Sequence, residues 1–281
     1  MTVRIAQNSY GKSRVRLIKV ARNGPRHEIQ NLTINISFEG DFDAVHSEGD
    51  NSLCLPTDTM KNTVYALAGK TSEIEQPEAF GRRLAEHFLN NNPHVSAVRL
   101  QLKETGWDRM QFEDVEHPHS FLRSSDEKRT VEITASRLLM TVEGGIEDLV
   151  VLKTTGSGFA GFRKDEFTTL PECTDRIFST SVKAVWRYSD PEVASYELFW
   201  SIREKILRTF ADHDSKSVQH TLYAIGEEVL ENFSEVDEVR FSLPNIHCLP
   251  VDISRFGIES PGCIFVPTDE PHGLIEATIS R

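Results

Sequence analysis

The sequence contains little cysteine, and its few thiols are far apart. Four of its 281 residues are cysteine, and they form no CxxC pair. Scattered thiols of this kind are typical of reduced core residues, so we expect neither a disulfide framework nor a zinc site. The four residues are Cys54, Cys173, Cys248 and Cys263.

Basic charge is also in short supply. The chain has 31 Lys and Arg against 43 Asp and Glu, which gives a formal net charge of −12 and a pI near 5.3. Proteins that wrap nucleic acid or lie on anionic membranes usually present a basic face, so we expect neither partner. An anionic ligand would need a locally basic pocket.

Long apolar runs are missing as well. No stretch approaches the roughly 20 apolar residues of a membrane-spanning helix, and no apolar segment follows a basic start. The last three residues, 279–281, are not a peroxisomal address of the Ser-Lys-Leu type. We therefore expect a cytoplasmic protein, and its 38% hydrophobic residues are enough to form a core.

Strict alternation of apolar and polar residues indicates half-buried antiparallel strands. In residues 32–38, Leu and Ile alternate with Thr, Asn and Ser before the segment ends at Phe38. Similar patterns predict strands over 15–20, 98–102, 131–135, 138–142, 149–153, 182–188, 239–243 and 275–279.

Helices are expected in two adjacent pairs. One helix follows Asp58 and ends at Gly69, and the next begins near Pro77 with apolar residues at four-residue spacing. In the second half of the chain, helical spacing of apolar residues predicts helices over about 198–210 and 218–233.

The strand after each helix pair carries the same pattern. "VSAVRLQL" at 95–102 and "VDEVRFSL" at 236–243 share Val, Val, Arg and Leu. With the repeated order of elements, this predicts an α+β fold made of a duplicated strand-strand-helix-helix-strand-strand unit, each a four-stranded antiparallel sheet with two helices. The polar segment 124–130 places the boundary, giving units 1–127 and 128–281. Open edges and faces of such sheets favour an oligomer closed into a β-barrel.

The segment "SLCLPTDTMKNTVYALAG", residues 52–69, begins as a strand, breaks at Pro56 and continues with helical spacing. Thr57 and Asp58 are suited to capping the helix N-terminus. The same position also offers a hydroxyl, a carboxylate and free backbone amides to a ligand. Both interpretations stay open from these residues alone.

The most informative stretch is "LVVLKTTGSGFAGFRKDEFTTLPECTDR", residues 149–176. Its strand, Thr/Ser/Gly turn, spaced phenylalanines, Leu and Arg resemble the signature of the urate oxidase (uricase) family. The resemblance extends in the family's order over nearly the whole chain, through "YGKSRVRL" at 10–17, "DNSLCLPTDTMKNT" at 50–63, "HPHSFLRSSDEKR" at 117–129, "SVQHTLY" at 217–223 and "SLPNIHC" at 242–248.

This resemblance implies the tunnelling fold, with two tandem units per chain, dimers that close a barrel, and two barrels stacked as a homotetramer. It also implies oxidation of urate by O2 and water to 5-hydroxyisourate and hydrogen peroxide, in urate degradation, without a metal or organic cofactor. Phe159 would stack on the purine, Arg176 would hold one edge, and Gln219 with the backbone of Val218 would hold the other.

The resemblance further implies a proton relay of Lys12, Thr57 and His247. Asn245 and Thr57 would hold water or oxygen above the ring, and Asp58 would contribute mainly its backbone amide. Thr57 would come from a neighbouring subunit, so that sites are shared between chains. One departure is Ala160, where some relatives have a bulky residue, which puts the local packing in question.

Two alternatives accompany this hypothesis. A purine- or pterin-binding protein of the same fold would need the binding residues but no relay. A metal-dependent hydrolase would use His117 and His119, whose side chains share one face of a strand. No nearby Cys, Asp or third His completes that set at a recognisable spacing, so no metal site is expected.

Overall fold

The computed structural model describes residues 3–259 and 262–281 and divides the chain into two compact units. The first comprises Met1–Gly145 and Arg187–Leu198, and the second Ile146–Trp186 and Phe199–Arg281. The elements up to the division are β1 (Tyr10–Ala21), β2 (Glu28–Gly40), α1 (Asp43–Ser47), α2 (Thr57–Gly69), α3 (Pro77–Asn91), β3 (Val95–Phe112), β4 (Val115–Ser136) and β5 (Met140–Lys153).

The division falls inside β5, so the chain passes from one unit to the other along a strand. The elements that follow are β6 (Phe178–Tyr188), α4 (Tyr196–Asp212), α5 (Val218–Asn232), β7 (Val236–Pro250), a 3₁₀ turn (Ser254–Phe256), β8 (Phe265–Thr268) and β9 (Leu274–Ser280).

The first unit is an antiparallel sheet in the order β1-β2-β3-β4, covered by α2 and α3. Ile34 pairs with Leu102 across β2 and β3, and Leu100 pairs with Ile133 across β3 and β4. These side chains are fully buried, as is Phe88 on the apolar face of α3. Each such side chain contributes roughly 1.5–3 kcal/mol when it leaves water, so the core fixes the strand register.

The second unit has the order β5-β6-β7, with β8 and β9 pairing with β7. Trp186, Phe199, Ile225 and Val239 lie in its core. Helix α5 packs closely on β9, since a Cβ added at Gly226 would lie 2.9 Å from the Ile279 side chain. The middle of α5 therefore packs directly against the sheet.

Both helix pairs and most of the predicted strands are confirmed, in the predicted order of elements apart from the additional short α1 and a third strand after α5. Two strand predictions are wrong, because residues 52–55 form a turn and loop, and the strands predicted separately over 138–142 and 149–153 fall on the single strand β5, which begins at Met140. The two similar octapeptides begin β3 at Val95 and β7 at Val236. Residues 124–130 lie inside β4, and the compact units divide between Gly145 and Ile146. The boundary between duplicated sequences at 127 and 128 stays a prediction.

The expectation that the cysteines lie in the core is wrong. All four fall within the described ranges and are free thiols, but Cys54, Cys173 and Cys248 are half-buried and Cys263 is exposed. Over those same ranges, the helices are too short or too polar to cross a membrane.

Candidate active site

Lys12 lies near the start of β1, where the backbone geometry is unusual. A Cβ at Gly11 would lie 1.8 Å from the carbonyl oxygen of Ile36, so only glycine fits there. A bulge follows Lys12, in which Arg14 has a φ of 58° and its N–H donates to Asn35 Oδ1 at 2.8 Å. Bulges of this kind re-aim neighbouring side chains, so the half-buried Lys12 is presented by a specific backbone irregularity.

Thr57 and Asp58 begin α2, as predicted, but the capping interpretation is wrong. Pro56 is the N-cap, and among the described residues no side chain accepts a capping hydrogen bond there. With φ −55° and ψ 136°, the proline already turns the chain into the helix. The Asp58 carboxylate accepts hydrogen bonds from Lys61 Nζ and Asn62 Nδ2, at 2.5 and 2.9 Å.

Lys12 and the start of α2 are electrostatic neighbours. The pKa of the Asp58 carboxyl is lowered chiefly by its hydrogen bond and ion pair with Lys61, then by Asn62, and further by the charge of Lys12. The first unit thus contains Lys12, Thr57 and Asp58, and the charge of Lys12 acts on the Asp58 carboxyl.

Tyr10, which no sequence pattern singled out, supports the segment that leads into α2. Its hydroxyl accepts a hydrogen bond from the N–H of Leu55 at 2.9 Å, and its ring packs edge-on against Phe42 at 4.7 Å. Burial, with a contribution from Cys54, raises the pKa of Tyr10 to about 12, so the phenol stays protonated. Its position two residues before Lys12 was the available signal.

The second unit contains the predicted aromatic and arginine residues. Phe159 and Cys173 exchange two backbone hydrogen bonds at 2.7 and 2.9 Å, and the N–H of Arg176 donates to the carbonyl of Ser157 at 2.7 Å. The Arg176 Cζ lies 5.6 Å from the centroid of the Phe159 ring. Phe162 stacks on Phe159 with centroids 4.8 Å apart and planes 12° apart. The loop thus places a guanidinium beside a supported aromatic ring.

The loop is tightened by two further features. The Asp175 carboxylate accepts hydrogen bonds from Thr155 Oγ1 at 2.7 Å and from the Ser157 N–H at 3.3 Å, and these lower its pKa. A Cβ at Gly158 would lie 2.8 Å from the Thr174 carbonyl oxygen, so glycine allows the two sides of the loop to meet. Ala160 is exposed, so its small side chain leaves no gap in the core.

The start of α5 lies against this loop. Ser215 donates through its N–H to Gly156 and accepts from the N–H of Gly158, at 2.9 and 2.8 Å. Ser217 caps the helix and accepts from the N–H of His220 at 3.1 Å. The first helical residues are the buried Val218 and the exposed Gln219, so both lie close to the Phe159 loop.

Asn245 and His247 lie two residues apart on β7 and are half-buried. Asn245 Nδ2 is 3.2 Å from His247 Nδ1. Since an amide nitrogen only donates, Nδ1 accepts, and a neutral His247 carries its proton on Nε2. The second unit thus contains six of the predicted residues, namely Phe159, Arg176, Val218, Gln219, Asn245 and His247.

The histidine pair considered for metal binding lies on β4. The rings of His117 and His119 are 4.6 Å apart, and His27 lies 5.8 Å from His119. Within the part of the chain that the structure describes, no three His, Cys, Asp or Glu side chains are grouped as a metal site requires.

Two tandem units, each an antiparallel sheet covered by two helices, define an α+β protein of the tunnelling-fold class. The sequence profile described as Uricase matches residues 8–134 and 142–276. The chain therefore belongs to the uricase family and is an oxidoreductase.

Individual relatives agree with this assignment. The uricase of Arthrobacter globiformis is 44% identical over 277 residues, covering 99% of this chain and 90% of the relative, and that of Oryctolagus cuniculus is 37% identical, covering 99% and 95%. The Arthrobacter crystal structure matches with a TM-score of 0.95, covering 100% of this chain and 96% of that one. Urate oxidase from Bacillus sp. TB-90, 23% identical with a TM-score of 0.86 over 98% of this chain and 100% of its own, supports the fold alone.

Proposed function

We propose that this chain oxidises urate with O2 and water to 5-hydroxyisourate and hydrogen peroxide, in urate degradation. Urate loses two electrons, O2 gains them and leaves as peroxide, and the water oxygen becomes the 5-hydroxyl group. The observation that carries the proposal is the Arg176 guanidinium 5.6 Å from the Phe159 ring, in a chain of the uricase family.

The second unit supplies what a flat purine anion needs. The Phe159 ring, backed by Phe162, offers a stacking surface, and Arg176 offers paired N–H donors to one edge. Charge-assisted hydrogen bonds contribute roughly 1.5–3 kcal/mol each, which offsets repulsion from the net charge of −12. Gln219 and the Val218 N–H, at the start of α5, would hold the opposite edge.

The proposed proton relay consists of Lys12, Thr57 and His247. Lys12 carries an amine that can exchange a proton through the Thr57 hydroxyl, and a neutral His247 offers an Nε2–H. Asn245 and Thr57 would hold water or oxygen above the ring, and the Asp58 N–H would bind the substrate. The Asp58 carboxylate is bonded to Lys61 and Asn62, which suits a role limited to its backbone.

We also propose that the active form is a homotetramer of two stacked barrels, with sites shared between chains. Apolar side chains exposed on strands support an interface, since large apolar exposure is typical of surfaces that pack against a partner. Ile18, Val150 and Leu152 are 59%, 60% and 53% exposed. For a homotetramer, light scattering should give a molar mass four times that of a single chain.

One assay tests the reaction. Metal-stripped protein is mixed with urate in air, and loss of urate absorbance is followed together with peroxide release. One peroxide per urate consumed, unaffected by chelator, is the expected result. Urate binding without turnover, both before and after metal is stripped, would replace this proposal with a non-catalytic purine- or pterin-binding protein, and turnover only before stripping would indicate a metal enzyme.

A further inference from the structure

Ser215 and Thr221 are two hydroxyl residues with no exposed surface, located beside the start of α5. Thr221 Oγ1 lies 2.7 Å from Ser215 Oγ. Burying a hydroxyl is costly unless hydrogen bonds replace those it made with water, so both hydroxyls need partners inside the protein.

The directions of these hydrogen bonds follow from counting protons. Ser215 Oγ lies 3.0 Å from the carbonyl oxygen of Ser217, which can only accept, so Ser215 donates there. Thr221 must then donate to Ser215 Oγ, because each hydroxyl has one hydrogen. His213 Nδ1, 3.1 Å from Thr221 Oγ1, must therefore donate to Thr221.

The resulting hydrogen-bond network runs from His213 through Thr221 and Ser215 to the Ser217 carbonyl. It is complete when His213 carries a proton on Nδ1. Burial, then the charges of His220 and Lys153, lower the pKa of His213 despite the opposing charge of Asp214. A neutral imidazole with its proton on Nδ1 meets the requirement.

Both ends of the proposed purine subsite depend on this hydrogen-bond network. The backbone of Ser215 bonds Gly156 and Gly158 on either side of Ser157, immediately before the ring of Phe159. Ser217, whose carbonyl ends the hydrogen-bond network, caps the helix that presents Gln219. The buried hydroxyls thus link the stacking ring to the amide on the opposite edge.

We propose that Ser215, Thr221 and His213 are positioning residues that fix the separation between Phe159 and Gln219, and so the width of the subsite. This inference rests on the proposed function. When a hydrogen bond of this network is removed, the Phe159 loop and the start of α5 move more freely, and urate must order them on binding. Affinity falls, whereas turnover at saturating urate changes less because bound substrate restores the order.

The experiment compares Thr221→Val with Thr221→Ser. Valine keeps the shape and removes the hydroxyl, whereas serine keeps the hydroxyl and removes a methyl group. A packing role predicts that serine is the worse replacement, since it leaves a small cavity. Positioning predicts the reverse order, which separates the two roles.

Urate binding is measured under nitrogen, where no turnover occurs. We expect Thr221→Val to raise the dissociation constant about tenfold with kcat changed less than twofold, and Thr221→Ser to bind like wild type. Thr209→Val, on α4 outside the chain of hydroxyls, is the control. Unchanged affinity in Thr221→Val, or a larger loss in Thr221→Ser, overturns the inference.

Amide hydrogen exchange without urate provides the second measurement. Thr221→Val should exchange faster than wild type at residues 156–159 and 217–219, and unchanged protection overturns positioning. This measurement decides the inference even if the wild-type protein binds no urate, an outcome that counts against the proposed function instead.

Discussion

Arg176 and Lys12 are both half-buried cations, but their surroundings suit different tasks. Arg176 lies beside the Phe159 ring in a loop fixed by backbone hydrogen bonds. Lys12 follows a glycine that no larger residue can replace and precedes a bulge. A planar donor beside a ring suits binding, and a single amine suits proton transfer.

Arg176→Ala should raise the dissociation constant of urate by roughly 10- to 100-fold, because charge-assisted hydrogen bonds are lost. Lys12→Met should lower kcat by about 100-fold or more and leave binding nearly unchanged, because proton transfer is lost. Steady-state kinetics and anaerobic titration measure the two effects, with the exposed Arg163→Ala and Lys70→Met as controls. Equal effects of both changes on urate dissociation contradict this division.

The identities of the proposed site residues could be predicted from the sequence, but their supports could not. Tyr10, Asp175 and Thr221 are ordinary polar residues until folding places Leu55, Ser157 and Ser215 against them. Such contacts join residues distant along the chain or depend on burial, and no local pattern records either. The failed capping prediction has a related cause, since the backbone geometry of Pro56 decided how α2 begins.

The first residues of β1 can pair with β2 only because Gly11 has no side chain. In Gly11→Ala the added Cβ would lie 1.8 Å from the Ile36 carbonyl oxygen, and backbone atoms cannot yield as a side chain tip can. We expect a loss of about 2–4 kcal/mol in unfolding free energy, together with reduced turnover as Lys12 shifts. Thermal unfolding measures the loss.

Gly69→Ala is the matched control, because nothing lies within 4 Å of a Cβ added there. Alanine near the end of α2 should be neutral or slightly stabilising. Equal melting temperatures for Gly11→Ala and wild type would show that β1 can move away without cost.

The loop that carries Phe159 should respond to acid through Asp175. Hydrogen bonds from Thr155 and Ser157 lower the pKa of this carboxyl, so the folded protein keeps it ionised to a lower pH than the unfolded chain, where the pKa is about 3.9. The stabilisation that ionised Asp175 gives the folded protein is present in full when the pH is above the unfolded-state pKa. It is lost as the pH falls through the lower, folded-state pKa.

Asp175→Asn should therefore unfold at lower urea concentration than wild type at pH 6, and the difference should shrink as the pH falls below about 4. Urea titrations across that range measure it, with the exposed Asp148→Asn as a control. A difference that does not depend on pH would show that ionisation of Asp175 does not stabilise the loop.

Strand alternation predicted the sheets well where one face is buried. It predicted only parts of β3 and β4. Strand β3 continues to Phe112, and strand β4 already begins at Val115. Beyond Leu102, the residues of both strands other than Arg129 are exposed or half-buried, so no alternation of apolar and polar residues marks them. Burial creates the sequence pattern, and strands without a buried face cannot be predicted from it.

The nine predicted site residues fall into two groups. Lys12, Thr57 and Asp58 belong to the first unit, and the other six belong to the second. The sequence predicts which residues belong to each group. Local sequence patterns do not show whether the two groups of one site come from the same chain or from two chains. In the proposed tetramer, the surfaces that pack together decide this, and no local sequence pattern records them.

Subunit mixing tests a shared site. Inactive Thr57→Ala and inactive Arg176→Ala chains, mixed and reassembled, should regain about a quarter of wild-type activity, since random pairing gives half mixed dimers with one intact site each. Activity of the mixture measures this, with native mass spectrometry to verify exchange.

Phe159→Ala mixed with Arg176→Ala is the control, because these two side chains are neighbours within one chain and every shared site keeps one of the changes. This pair should stay inactive. Confirmed exchange without recovery in the Thr57 and Arg176 pair would show that the sites are not shared in this way.

The pairing of Cys173 with Phe159 has a practical consequence. Its half-buried Sγ donates to the Asp175 carbonyl at 2.8 Å, on the strand-like segment opposite the stacking ring. A fluorophore attached at this thiol, with the other three cysteines replaced by serine, would move with the loop. Under nitrogen, where no turnover occurs, its emission would report binding of the proposed substrate to the loop.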